Sequence, residues 1–126
     1  MGLKGKVTLK GRTNDVRKEL LGSSCLVMSS RFEGFPMILL EALATGLPIV
    51  SYDCPKGPSE IVTIGANGYL AKVGDTGTLA QGICSVIANE ELRKRFGAES
   101  KRRSENFSLE KTMEKWDALF KSALKR

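Results

Sequence analysis

Short apolar runs alternate with longer segments of helical spacing along most of this chain. Leu26–Met28 and Ile49–Tyr52 are strand-like runs, each followed by a loop containing Gly and Pro. Residues 7–10 and 69–72 also alternate like strands, which brings the predicted number of strands to four. Helical spacing predicts helices between these strands and three more after residue 75, with Asp75, Asn89 and Ser108 as N-caps. Strands separated by helices predict an α/β fold, a Rossmann-like doubly wound parallel sheet with helices on both faces.

Residues 25–50 form the unit around which the prediction is organised: strand, loop, helix, loop, strand. Pro36 suits the start of the helix, and Gly46 suits a left-handed residue just past its end. The helix is apolar on every side except at Glu41, so it is expected to be buried. A buried carboxylate needs a partner, so Glu41 is expected to be paired or to face a polar cleft. Such a cleft would lie at the carboxyl end of the preceding strand, where the first amides of the helix form an anion site.

Length and composition limit the classes of protein to consider. A chain of 126 residues that is 41% hydrophobic makes one domain. Neither a membrane span nor a signal peptide is predicted, and three widely spaced cysteines suit a reducing, cytoplasmic setting. The chain contains no histidine, so no metal site is expected.

The net charge of +6 is concentrated at the C-terminal end. Residues 93–126 contain eleven Lys or Arg against five acids. This surplus predicts a solvated basic face, with a peripheral membrane surface as the second interpretation. No nucleic-acid partner is expected, because the aromatic residues here fall on an apolar helical stripe and not among the basic residues. That stripe in the last helix is most simply core, and it favours self-association if it is left exposed.

Four segments resemble one enzyme family. They are SRFEGFP at residues 30–36, LEALATGLPIV at 40–50, EIV at 60–62 and NGYL at 67–70. Together they are similar to the C-terminal, donor-binding domain of the retaining glycosyltransferases of family four, also called glycosyl transferases group 1, which have the two-domain GT-B fold. Glu33 and Glu41 match the E-x7-E motif of that family. The resemblance runs from about residue 7 to the end.

The resemblance implies a role for each matching position. Glu33 would be the catalytic residue near the donor sugar, and Glu41 would hold the ribose hydroxyls of a nucleotide-sugar. Gly11 and Arg12 would lie near the base. The remaining donor-binding positions, which would hold the sugar hydroxyls and the diphosphate, are Gly34, Phe35, Pro36, Met37 and Ile38. No metal and no cofactor are implied. Considered singly, Glu33 is typical of a solvated loop carboxylate, and Glu41 is as well explained by an ion pair with Arg31 or Arg12.

The function implied is transfer of a sugar from a nucleoside-diphosphate sugar to an acceptor hydroxyl with retained configuration. UDP-hexose or UDP-N-acetylhexosamine is favoured, in bacterial polysaccharide or glycan biosynthesis. The glycan or lipid-linked acceptor would be bound by an N-terminal domain that is not in this chain. Residues 1–126 are therefore expected to be one partial domain, with a core at 7–106 and a C-terminal amphipathic helix at 107–126, which binds donor weakly and is inactive alone. The alternatives are a nucleotide-sugar epimerase of the same architecture and a non-catalytic Rossmann-like binding module.

Overall fold

The sheet in the computed structural model, which describes residues 2–125, consists of three parallel strands. These are β1 (Leu26–Met28), β2 (Ile49–Tyr52) and β3 (Gly68–Ala71), in the order β1-β2-β3. Val27 lies opposite Val50, and Ser51 lies opposite Leu70. Parallel neighbours need a crossover between them, and each crossover here contains a helix. The predicted Rossmann-like parallel sheet is therefore confirmed.

Six α-helices and one 3-10 turn complete the described part of the chain. They are α1 (Val16–Leu21), α2 (Met37–Thr45), α3 (Pro58–Ile61), α4 (Thr76–Ala88), α5 (Glu90–Ser104), the 3-10 turn (Glu105–Phe107) and α6 (Leu109–Leu124). The predicted caps are confirmed: Asp75, Asn89 and Ser108 each accept a hydrogen bond from the backbone amide three residues on. Each cap satisfies an amide that the first helical turn leaves without a partner. Of the described helices, none is both long and apolar enough to cross a membrane.

Two apolar clusters cover the two faces of the sheet. Alternate residues of β2 point to opposite faces, so Ile49 joins one cluster while Val50 and Tyr52 join the other. The first cluster includes Leu39 and Leu43 of α2, and the second includes residues of α4 and α5. The prediction of helices on both faces is confirmed.

The strand predicted at residues 7–10 is not formed. Within the described residues this segment pairs with no other strand, and the side chain of Leu9 is 95% exposed. A strand is stable only when a neighbour accepts and donates its backbone hydrogen bonds and covers one face. Alternating residues without such a neighbour stay extended and exposed, so the predicted four strands are three.

The expectation that α2 is buried all round is also wrong. Leu39, Ala42 and Leu43 are buried, but Met37, Glu41 and Ala44 are exposed. These three positions follow the i, i+4, i+7 spacing of one helical face. The sheet cluster and α5 cover the other sides of the helix and leave this face open. Glu41 is therefore a solvent-accessible carboxylate and needs no buried partner.

Candidate functional site

The loops that follow β1 and β2 meet at the start of α2. Pro36 stands immediately before the helix and is buried. Gly57 lies against it so closely that a β-carbon on Gly57 would come within 2.2 Å of the Pro36 Cδ. Gly57 also has φ +119°, a conformation that favours glycine. The contact fixes the beginning of α2 at the carboxyl edge of the sheet, where parallel α/β proteins bind ligands.

The N-terminal end of α2 is open to solvent. Leu39 N donates to Pro36 O at 3.0 Å, whereas the amides of Met37 and Ile38 donate to no protein acceptor within residues 2–125. Gly34, Phe35 and Met37 are exposed, and Ile38 is half-buried. Free amides at a helix N-terminus favour an anionic group. The stretch predicted to bind a diphosphate is thus accessible, with the exception of buried Pro36, which has no amide hydrogen.

Glu33 lies in the loop before α2, near the loop that follows β2. Its side chain is half-buried. Burial raises the pKa of the Cys54 thiol, and the negative charges of Glu33 and Asp53 contribute to the same rise. Glu33 therefore lies within electrostatic range of Cys54, on the side of α2 where the 53–57 loop packs.

Glu41 lies in the wall of a cleft of about 760 Å³ between α1 and the C-terminal half of α2. The walls carry both signs of charge: Asp15 and Glu41 are acidic, while Arg17 and Lys101 are basic. The full lining consists of Asn14, Asp15, Val16, Arg17, Leu20, Leu21, Glu41, Ala44, Thr45, Gly46 and Lys101. The lining combines the apolar side chains of Val16, Leu20 and Leu21 with charged ones, which suits a small ligand that has both polar and apolar parts.

Glu41 forms no ion pair with any other residue in the described range 2–125. The ion pairs formed among residues 2–125 involve Glu19, Glu90, Glu91, Glu99 and Asp117 as acids. The alternative that Glu41 pairs structurally with Arg31 or Arg12 is therefore not observed. Its carboxylate oxygens are available to accept hydrogen bonds from a ligand.

The predicted site residues divide into two groups. Glu41 lines the cleft, whereas Glu33 and residues 34–38 lie outside its lining. Gly11 and Arg12 are exposed in the extended N-terminal segment and also lie outside the lining, although Asn14, two residues later, belongs to it. The cleft and the α2 N-terminus are therefore adjacent regions along one helix, separated by about one turn, or roughly 6 Å.

Sequence reasoning missed Arg17 and Lys101. Arg17 follows the Asp15 cap of α1, and its place on the cleft side depends on how α1 packs on α2. Lys101 comes from α5, where Ser100 Oγ donates to Leu47 O at 2.7 Å and Lys101 Nζ donates to Ala44 O at 2.6 Å. A cation near the last carbonyls of α2 is favoured by the helix dipole. No local signal connects residues that stand 57 positions apart.

Comparison with models of protein families identifies the family of this chain. Residues 1–103 match the family model described as "Glycosyl transferases group 1". The chain belongs to this family. The match includes both acids of the E-x7-E motif and the residues that line the cleft. In this group 1 glycosyl transferase chain, Glu33 of the motif lies in the loop before α2 and Glu41 lies in α2 itself.

Individual relatives agree with the family match. The chain is 32% identical over 127 residues to an exopolysaccharide phosphotransferase of Streptomyces coelicolor, covering 100% of this chain and 14% of the relative. It is 33% identical over 114 residues to the poly(glycerol-phosphate) alpha-glucosyltransferase of Bacillus subtilis, covering 90% and 17%. A crystal structure of S. aureus TarM, in complex with fondaparinux, alpha-GlcNAc-glycerol and UDP, gives a TM-score of 0.87 at 32% identity, covering 94% of this chain and 24% of TarM. The chain thus spans a quarter or less of the length of these proteins.

Proposed function

We propose that this chain is the donor-binding part of a glycosyltransferase that uses a UDP-sugar. The observation that carries the proposal is Glu41. Its carboxylate is exposed, forms no ion pair among residues 2–125, and lies in the wall of a cleft about one turn along α2 from the amides of Met37 and Ile38. A ribose diol donates hydrogen bonds to a carboxylate, and a diphosphate accepts them from helix amides. A nucleoside diphosphate lying along α2 would make both contacts at once.

The proposed roles follow the order of these groups along the helix. Glu41 holds the ribose, the base lies toward α1 and the Gly11–Arg12 segment, and the amides at positions 34, 35, 37 and 38 hold the diphosphate and the sugar hydroxyls. Glu33 precedes the α2 N-terminus and lies outside the cleft lining, and it is proposed to contact the transferred sugar. As the sugar leaves, negative charge grows on the diphosphate and positive charge on the sugar ring. Fixed amides stabilise the first, and the Glu33 carboxylate stabilises the second.

The relatives support a UDP-sugar donor and a polysaccharide-type acceptor. The TarM structure contains UDP together with a GlcNAc glycoside, and the B. subtilis relative is named for glucosyl transfer to poly(glycerol phosphate). UDP-hexose or UDP-N-acetylhexosamine is accordingly the proposed donor, with transfer to a glycan or lipid-linked acceptor hydroxyl and retention of configuration. The S. coelicolor relative is named a phosphotransferase, but the match covers 14% of it, so its name has less weight than the family model.

The remaining proposals rest on the finding that the chain matches a quarter or less of the length of these relatives. We propose that residues 1–126 form one partial C-terminal domain, with the Rossmann-like core at 7–106 and the amphipathic helix at 107–126. Such a domain binds donor weakly and transfers nothing alone, because the acceptor site lies in another part of the enzyme. The basic surface of α5 is proposed to attach the enzyme to the inner face of an anionic membrane, in the cytoplasm. The epimerase alternative has no support from the family match.

Titration of the isotope-labelled chain with UDP, GDP and AMP tests the proposal. We expect UDP to shift the amide resonances of residues 34–41 and of α1, with a weaker response to GDP and none to AMP. Resonances of α6 serve as an internal reference because no residue of that helix lines the cleft. Shifts confined to α5 and α6, or equal shifts with all three nucleotides, would contradict the proposed site and favour a non-catalytic binding module.

A second experiment distinguishes the proposed roles of Glu33 and Glu41. Glu33→Gln should leave the affinity for UDP unchanged, because Glu33 lies outside the cleft lining and UDP lacks the sugar that is transferred, which Glu33 is proposed to contact. In a complete enzyme the same change should lower the rate of transfer. Loss of UDP affinity in Glu33→Gln would show that the two roles have been assigned to the wrong residues.

A further inference from the structure

The four charged side chains that line the cleft differ in what they contact. Asp15 accepts a hydrogen bond from a backbone amide of α1, and Lys101 donates one to a backbone carbonyl of α2. Arg17 and Glu41 are exposed, and neither forms an ion pair with any residue in the range 2–125. The side-chain hydrogen bonds that Lys and Arg donate in this range all come from other residues than Arg17. Within the described residues, the cleft therefore has a free cation on the α1 wall and a free anion on the α2 wall.

The position of Arg17 is not explained by the stability of α1. Arg17 is the second residue of that helix, and the positive end of the helix dipole disfavours a cation there. Its exposed side chain makes no contribution to the apolar core. Lys18 is also an exposed cation of the same turn, but it lies outside the cleft lining. The two residues therefore share charge and helix position and differ in access to the cleft.

The two walls of the cleft are fixed close to each other. Leu20 of α1 is buried in the same apolar cluster as Leu39 and Leu43 of α2, so the two helices pack together. Packed helices lie about 8–10 Å apart, measured between their axes. A ribose held at Glu41 on the α2 wall would direct its base across this space. The edge of the base farthest from the ribose would then meet the α1 wall at Arg17.

The chemistry of that edge differs between bases. Uracil, like thymine, carries a carbonyl acceptor at position 4, and guanine carries the acceptor O6 in the corresponding place. Cytosine and adenine carry an amino donor there. The guanidinium of Arg17 has five N–H donors and no acceptor. It can therefore pair with a keto base, whereas an amino base would oppose donor to donor and leave both groups without a partner.

Given the proposed donor site, on which this inference rests, we propose that Arg17 reads the base of the nucleotide. Its guanidinium donates a hydrogen bond to the 4-carbonyl oxygen of uracil and so selects a keto base over an amino base. Arg12, which the family resemblance places near the base, lies outside the cleft lining. The side chain that contacts the far edge of the base is accordingly Arg17.

Calorimetric titration of the full chain with UDP and with CDP tests the proposal. The two nucleotides differ at the 4-position of the base, where the carbonyl of uracil is an amino group in cytosine. We expect UDP to bind at least about fivefold more tightly than CDP. Arg17→Leu should bring this ratio close to one. Lys18→Leu removes the same charge from the same turn of α1 and should leave the ratio unchanged.

The ratio of the two affinities separates base recognition from general attraction. Loss of any nearby cation weakens the binding of both diphosphates equally, whereas loss of the carbonyl contact weakens only UDP. Arg17→Lys keeps a charged donor and should retain part of the preference. The side-chain Nε–Hε resonance of Arg17 provides a direct readout, because UDP should shift it more than CDP does at equal saturation. Unchanged thermal unfolding of each variant confirms that the fold is intact.

Four results would overturn the proposal. Equal affinities for UDP and CDP in the unmodified chain, or a preference that survives in Arg17→Leu, would leave the donor site in place but exclude its reading by Arg17. Equal weakening of UDP and CDP in Arg17→Leu would show that this residue only attracts or stacks on the nucleotide. Loss of the preference in Arg12→Leu alone would assign the contact to the extended segment. Absence of binding by either nucleotide would contradict the proposed function itself, and the role of Arg17 with it.

Discussion

Gly97 in α5 lies directly against Gly46, the residue that ends α2. A β-carbon on Gly97 would be 2.4 Å from the Gly46 carbonyl oxygen. Gly46 itself has φ +74°, the left-handed conformation that terminates a helix at a glycine. This contact allows α5 to approach the end of α2 closely enough for Lys101 to reach Ala44 and complete the cleft.

Gly97→Ala is expected to destabilise the domain. Alanine favours a helix over glycine by about 1 kcal/mol, but the added methyl group would overlap a backbone oxygen that has no freedom to move aside. Overpacking of this kind costs about 1–3 kcal/mol. Because the helix preference of alanine offsets about 1 kcal/mol of this cost, we expect a net fall in the free energy of unfolding of up to about 2 kcal/mol. Urea unfolding measures it.

Gly77→Ala is the matched control for this change. Gly77 also lies in a helix, and the nearest atom to an added β-carbon there is Asp75 Oδ1 at 3.5 Å, an ordinary contact. We expect its stability to be unchanged or raised by up to about 1 kcal/mol. Equal losses in the two variants would show that the Gly97–Gly46 contact is not the cause.

Glu41→Ala is expected to lower the affinity for UDP without unfolding the domain. Glu41 is exposed and forms no ion pair with the part of the chain that the structure describes, so its removal should change stability by less than about 0.5 kcal/mol. Hydrogen bonds to a charged group contribute about 1.5–3 kcal/mol, which corresponds to roughly a 10- to 150-fold loss of affinity. Calorimetric titration with UDP measures the change. Glu91→Ala, which removes an exposed carboxylate from α5, is the control and should bind UDP as the unmodified chain does. An unchanged affinity for UDP in Glu41→Ala would rule out the proposed ribose contact.

Asn67→Ala is expected to be strongly destabilising. The Asn67 side chain is fully buried, accepts from Thr63 N at 2.8 Å and donates to Ile61 O at 3.3 Å. Truncation leaves the Thr63 amide without its acceptor and leaves Ile61 O with only the longer hydrogen bond from Arg103 Nε at 3.4 Å, and each buried group left unsatisfied costs about 1–3 kcal/mol. Denaturant unfolding tests this, with exposed Asn106→Ala as the control. A loss of unfolding free energy no larger than that of the control would mean that water or a local shift replaces the hydrogen bonds of Asn67.

The Asp75 cap is expected to make part of the stability depend on pH. Hydrogen bonds from the Thr78 amide at 2.9 Å and the Thr78 hydroxyl at 2.7 Å lower the pKa of Asp75 in the folded state. A lowered folded-state pKa means that the contribution is complete above the unfolded value of about 3.9 and is lost as the pH falls through the folded value. We expect Asp75→Asn, which keeps the cap acceptor, to flatten the change in urea midpoint between neutral pH and pH of about 3. An identical pH profile in the variant would contradict this.

Much of the fold could be predicted from the sequence because its signals are local. The caps at Asp75, Asn89 and Ser108 act within one turn, and the Gly46 terminus depends on that residue's own conformational freedom. The predictions that failed concern features that depend on contacts between distant segments. Residues 7–10 alternate like a strand, yet a strand also needs a neighbour, and no local pattern reveals whether one is present.

The candidate site divides in the same way. Glu33, Glu41 and the α2 amides were predicted because the motif spaces them within one loop and helix. Arg17 and Lys101 were not, because their places in the cleft depend on the packing of α1 and α5 on α2. The exposed face of α2 was missed for a related reason, since an apolar residue does not indicate whether another element covers it.

The sequence by itself determined the alternation of strands and helices, the helix ends and the family motif, because these depend on residues within a few positions of one another. Only the tertiary structure decided that Glu41 faces a cleft while Glu33 lies outside it, and that α6 stands uncovered. Those outcomes depend on contacts such as Gly97 on Gly46, in which distant segments are brought together by close packing that no local pattern encodes.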